Sequence, residues 1–253
     1  MLDFNHRLSF SEVIMKRIDL ALDAENKLKP KRNYLGASRL GASCDRALQY
    51  EYSNTPKDSG RDFLGTTLRN FDAGHVFEEL MVRWLKMAGF ELLTHNSDGD
   101  QFGFETLNGK IQGHIDGVIV NAPSQFDFSF PMLWECKSKA NKVWRQIKNQ
   151  GVEIVDPVYA AQMPLYQAYL EPQFPGISSN PALFTAINKE TAEIHFELVA
   201  FNGALAQQRS DRGVRIIEAC EAGELQPRMT KTDTHYECRI CPWQDRCWER
   251  VPR

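Results

Sequence analysis

The chain has 253 residues, of which 42% are hydrophobic and 25% charged, with a formal net charge of -3. This is the balance of a globular protein able to bury a large core, as one substantial domain with an appendage or as two small ones. It does not advertise a general polyanion binder, although phosphate attraction depends on a local patch rather than on a total.

No apolar run of about 18 residues occurs, so no membrane-spanning helix is expected. The start, MLDFNHRLSFSEVI, lacks the basic segment and long apolar stretch of a secretory leader, and a cytoplasmic location is the default expectation. The first thirty-odd residues read as a helix followed by a Lys/Pro-rich connection. Ser43 then offers a cap for a short helix within LGASRLGASCDRALQYEY, and NTPKDSGRD reads as a loop.

From about 68 to 88 the pattern is strongly helical. Phe77, Leu80, Met81, Trp84, Leu85 and Ala88 form an apolar stripe, with Gly89 as a stop. Phe71, His75, Glu78 and Val82 form a narrower second stripe, so this helix is expected to pack through one face and line a cleft with another. Strands follow over about 102 to 107 and 111 to 120, separated by the Asn108-Gly109 hairpin turn. Gly117 interrupts the second, as glycine does at a bulge or a close backbone contact. A third strand covers about 132 to 137. The remaining elements are a helix over 158 to 170, strands over 183 to 188 and 193 to 199, a helix over 202 to 222, and a cysteine-rich tail. This order indicates an α/β fold with helices covering a mixed sheet. Neither a glycine-rich phosphate loop nor a GxSxG elbow is present.

The chemistry concentrates in GHIDG and WECK. Strand periodicity puts Glu135 and Lys137 on one face with Cys136 turned away, and Asp116 on the preceding strand can join them across the sheet. A structural ion pair is one reading. The other is a pair of carboxylates holding a hard cation such as Mg²⁺ or Mn²⁺, with the lysine orienting the attacking water. Lys137, Lys139, Lys142, Arg145 and Lys148, with Trp144 among them, form either a solvated basic element or a surface for backbone phosphates.

Together these motifs resemble the PD-(D/E)XK nuclease superfamily, and within it the RecB-like exonucleases. The family's Asp and Glu-x-Lys correspond to Asp116, Glu135 and Lys137. The helix before its strands carries a histidine, here His75 in AGHVFEE, and the helix after them carries Gln-x-x-x-Tyr, here Gln162 and Tyr166. The resemblance implies a restriction-endonuclease-like three-layered core with a central mixed sheet flanked by helices. It implies Mg²⁺ or Mn²⁺ on His75, Asp116, Glu135 and the carbonyl of Cys136. It also implies that Gln162 and Tyr166 position the DNA backbone and support the metal shell, while His114 has no assigned role. The chain departs from the family in joining Gly74 directly to His75 and in having a longer loop between Asp116 and Glu135.

The six cysteines are Cys44, Cys136, Cys220, Cys238, Cys241 and Cys247. The last three, spaced C-x2-C-x5-C, suit a soft metal centre better than disulfides. Cys44 is the best candidate fourth ligand. Cys220 is an alternative, and His235 would complete a zinc site. The arrangement, with Pro242 and Trp243 inside the triplet, resembles iron-sulfur RecB-like nucleases such as the CRISPR-associated exonucleases and the AddB nuclease domain. That implies a [4Fe-4S] cluster on Cys44, Cys238, Cys241 and Cys247.

The resemblance further implies an N-terminal helical region (1–64), a nuclease core (65–222) and an iron-sulfur region (223–253), and it is compatible with a viral or mobile-element origin. The expected activity is metal-dependent DNA exonuclease action in recombination, repair or DNA processing, on single strands or free ends. A structure-specific endonuclease and a catalytically weak DNA-binding subunit are the alternatives. A recombination or helicase partner and a homo-oligomer are compatible with the family.

Overall fold

A computed structural model describes residues 8–249. Residues 1–7, which carry part of the leader expectation, and residues 250–253 of the terminal region lie outside the described residues. Helix α1 (Phe10–Leu28) starts at a reciprocal cap: the Ser9 hydroxyl accepts from the Glu12 N–H at 3.2 Å, and the Glu12 carboxylate accepts from the Ser9 N–H at 2.7 Å. After β1 (Leu35–Gly36), a short 3-10 turn leads to α2 (Asp45–Tyr52) and then to α3 (Gly65–Met87). Helix α1 lies on α3, where Asp19 and Arg69 form an ion pair.

Five strands follow α3: β2 (Glu91–Leu93), β3 (Gly103–Thr106), β4 (Ile111–His114), β5 (Gly117–Asn121) and β6 (Met132–Lys139). A helical crossover of α4 (Asn141–Gln150), α5 (Val152–Val155) and α6 (Pro157–Leu170) connects β6 to β7 (Ala182–Asn188). Such a crossover is needed because β6 and β7 run parallel. Strand β8 (Ile194–Val199), α7 (Gly203–Glu221), α8 (Tyr236–Ile240) and α9 (Gln244–Cys247) complete the chain.

The main sheet has the order β2-β5-β6-β7-β8, with only the β6–β7 pairing parallel, and a smaller sheet has the order β1-β4-β3. The β1–β4 pairing in the smaller sheet is also parallel. Met81 and Leu85 of α3 pack on one face of the main sheet, against Trp134 and Cys136. Met163 and Leu165 of α6 pack on the other, with Leu133 and Phe184. The protein is therefore an α/β fold with mixed sheets flanked by helices.

Two expectations change in detail. The strand expected over 111 to 120 is two strands in different sheets, broken at Ile115 and Asp116. The chain leaves the small sheet there because the Asp116 carboxylate accepts the Cys136 N–H at 2.8 Å, in place of a backbone partner. The basic stretch is divided: Lys137 and Lys139 lie on β6, while Lys142, Arg145 and Lys148 are exposed on helix α4, which is held by buried Trp144 and Ile147. The Trp144 indole donates to the Ala186 carbonyl at 2.9 Å, so this tryptophan anchors the helix to β7. Among the described residues no helix is long and apolar enough to cross a membrane.

Gly117 pairs with Trp134 where β5 begins. A Cβ at this position would lie 2.7 Å from Leu92 Cδ1 and 3.0 Å from the Leu93 carbonyl oxygen. The absence of a side chain is thus what lets β2 close on β5. Gly117→Ala is expected to lower unfolding stability by about 1–3 kcal/mol, read as a lower urea midpoint at unchanged slope. A variant with the parent's midpoint would show that β2 yields at no cost.

Candidate active site

Asp116 occupies the break between β4 and β5, and Glu135 and Lys137 lie two residues apart on β6. The fold brings the three together. Lys137 Nζ donates to Asp116 Oδ2 at 3.2 Å, to the Cys136 carbonyl at 2.9 Å, and pairs with Glu135 Oε1. Glu135 is fully buried, and Lys137 keeps 22% of its side chain exposed. Cys136 points to the other face, as strand alternation requires, and burial pushes its thiol well up.

Gln162, from α6, donates to Glu135 Oε1 at 2.8 Å. Glu135 Oε2 and Gln162 Oε1 are buried without a hydrogen-bond partner. Tyr166, one turn after Gln162, is 2% exposed and sits edge-on against Phe104, with centroids 5.3 Å apart. It packs in the core against Phe104.

Burial first, and Asp116 second, push the Glu135 carboxyl up to about 8. The same two causes in the same order push Glu78 up to about 7. Burial alone would lower Lys137, but Asp116 and Glu135 outweigh it and hold the ammonium well above its usual value. Three carboxyl groups thus share one ammonium, and the cluster retains an extra proton near neutral pH.

A cavity of about 550 Å³ opens beside this cluster, lined by Gly74, His75, Glu78, Lys137, Tyr159 and Lys189 among others. The second stripe of α3 therefore does line a cleft. Tyr159 was not evident as a site residue from the strand motifs. It stands three residues before Gln162 on α6, a spacing that places both on one helix face. Its ring lies under Lys139 Nζ at 4.1 Å, and Lys139 also pairs with Asp156 at 2.9 Å.

The cofactor expectations are corrected. Among the described residues, no group of three or more His, Cys, Asp or Glu side chains is placed to hold a metal ion. For Mg²⁺ or Mn²⁺ the reason is local: Asp116 Oδ2, Glu135 Oε1 and the Cys136 carbonyl, three of the expected donors, are all taken by the Lys137 ammonium. His75 comes from α3, which covers the Cys136 face, whereas Glu135 points to α6. For the [4Fe-4S] cluster, Cys44, Cys238, Cys241 and Cys247 line a cavity of about 970 Å³ without forming such a group. Burial, then the neighbouring thiols Cys44 and Cys247, raises Cys238; burial also leads in raising Cys241, and both effects favour thiols over thiolates. Cys220, near the end of α7, packs against the core. His235 precedes α8, with its ring tilted against Tyr236.

No protein-family model matches the sequence, and a search of curated proteins finds no relative. A search of solved structures finds similar folds at low identity. An alkaline exonuclease from Laribacter hongkongensis superposes with a TM-score of 0.50 at 12% identity, covering 82% of this chain and 93% of that one. The same exonuclease in complex with dAMP gives 0.49 at 13% identity, over 76% and 89%. A protein of Eubacterium rectale provisionally named an exonuclease gives 0.41 at 12% identity, over 98% and 96%.

The raised Glu135 carboxyl ties stability to pH. A carboxyl held above its unfolded value stabilises the fold at low pH, and that contribution is lost as pH climbs from about 4.5 to about 8. The thermal midpoint should fall across this interval, with Glu78 adding to the fall. Glu135→Gln, which cannot titrate, should flatten it. An unchanged slope in the variant would show that Glu135 ionises normally in the folded protein.

Proposed function

We propose that this chain is a nuclease that hydrolyses phosphodiester bonds of DNA, working from strand ends. The observation that carries this reading is the Asp116–Lys137–Glu135 cluster, whose Lys137 lines a cavity that also presents His75 and Lys189. The fold shared with an alkaline exonuclease supports it.

In this reading Lys137 is the partly exposed cation and takes a non-bridging oxygen of the scissile phosphate, where charge accumulates during attack. Asp116 and the Cys136 carbonyl fix its position. Once Lys137 turns to the phosphate, Glu135 is released from its ion pair. Its raised carboxyl titrates near working pH, as suits a general base. It takes the proton of a water whose oxygen forms the new bond to phosphorus, the ester P–O bond breaks, the leaving oxygen takes a proton from solvent water, and Glu135 returns its own proton to solvent. Gln162 keeps the Glu135 side chain in place during the exchange. Tyr166 supports Gln162 by packing against Phe104.

The test is digestion of end-labelled linear and closed circular DNA, single- and double-stranded, in buffers with and without divalent salts. Linear strands should shorten from an end while circles persist. Asp116→Ala, Glu135→Ala and Lys137→Met should each reduce the rate by about 100-fold or more while retaining the parent's circular dichroism. Cutting of circles would make the enzyme an endonuclease. Near-parental hydrolysis by folded Glu135→Ala protein, with contaminating nuclease excluded, would refute the assignment.

A further inference from the structure

Phe63 and Phe71 are 45% and 48% exposed, an unusual state for two phenyl rings already in contact. They meet edge to face, with centroids 5.3 Å apart and planes at 86°. Helix α3 does not need Phe71 for anchorage, because its buried positions are Leu68, Met81 and Leu85. Phe71 stands one helical turn before His75, on the stripe that lines the catalytic cavity.

The surroundings of the pair are those of a polyanion path. Phe71 lines both the 550 Å³ cavity and the 970 Å³ cavity near the C-terminal helices, and Lys29 and Arg32 line both as well. Phe63 lines the larger one. Lys57 Nζ lies 4.0 Å from the Phe63 ring centroid and 3.9 Å from Asp62. A half-exposed apolar ring pair, flanked by long cations at the junction of two clefts, matches the alternation of base and phosphate along a nucleic-acid strand. Aromatic rings offer every base a face to stack on, and the cations follow the backbone.

We propose that Phe71, backed by Phe63, is a stacking platform for an unpaired base of the DNA strand whose backbone enters the catalytic cavity. The proposal rests on the reading of that cavity as a DNA-cleaving site and adds a specificity to it. A duplex buries its base faces and cannot use the platform, so the platform selects single strands or frayed ends. Lys29 and Arg32 guide the backbone between the two clefts.

The experiment measures binding by fluorescence anisotropy at fixed salt. It uses labelled oligo-dT, an abasic strand with the same number of phosphates, and a hairpin duplex. Every protein carries Glu135→Gln so that strands stay intact. Phe71→Ala should weaken oligo-dT binding roughly tenfold, and Phe71→Trp should restore it. The abasic strand should bind both variants equally. Parental oligo-dT affinity in Phe71→Ala would overturn the proposal. So would an equal loss on the abasic strand, or a duplex bound as tightly as oligo-dT by the parent. Because the readout is binding, a wild-type chain with Glu135 intact that fails to cleave DNA in the digestion would count against the hydrolytic reading alone, whereas the platform stands or falls on the oligo-dT affinities.

Discussion

The Lys137 ammonium is the charge around which the centre of the molecule is arranged. It reaches the chain break at Asp116, its own strand at the Cys136 carbonyl, and the fully buried Glu135. Taking such charges out of water costs several kcal/mol per ion unless each finds partners of good geometry. Here the partners come from β6 and from the break just before β5, so the ion cluster forms only when β5 and β6 are in register. The Asp116 bond to the Cys136 N–H, next to the Gly117–Trp134 pairing, fixes that register. The excess of carboxyl over ammonium groups leaves a retained proton, so the same arrangement that orders the strands also creates a group that titrates near neutral pH.

The two faces of β6 divide the work. Trp134 and Cys136 bury against α3, which secures the helix that carries His75 and Glu78. Glu135 faces α6 and receives Gln162. Lys137, near the strand's carboxyl end, is where the two sides meet the cavity. Open α/β sheets commonly place ligand sites at such an end, where loops and helix termini converge without disturbing the core.

Among the described residues, polar contacts join the N-terminal helical region to the C-terminal one. Arg212 of α7 pairs with Asp45 of α2 and donates to the Leu40 carbonyl at 2.7 Å. Gln49 donates to the Glu224 carbonyl at 2.8 Å, and the Trp243 indole to the Thr55 carbonyl at 2.9 Å. The Asp58 carboxylate accepts from the N–H groups of Asp245 and Arg246, at the start of α9. This clasp forms walls of the larger cavity and keeps Phe63 and Lys57 beside α3.

The sequence by itself determined the periodic features. Apolar spacing set α3 and its second stripe, alternation set the opposite facing of Cys136 and Glu135, and Asn108-Gly109 set the hairpin, with positive φ at both residues. These are local consequences of helix and strand geometry, so a one-dimensional pattern contains them. The split of β4 from β5 was not legible, because it depends on a side-chain bond across 20 residues, from Asp116 to Cys136. Nor was it legible that Tyr166 faces Phe104 while Gln162 reaches Glu135, since that depends on how α6 is rotated against the sheet. The cysteine spacing suggested a shared metal centre; the four thiols line one cavity, but among the described residues they form no group placed to hold a metal ion. Only the tertiary structure decided where the expected cation donors point. Spacing fixes which residues share a face, but the charge that fills the space between them is set by packing, and here it is the protein's own lysine.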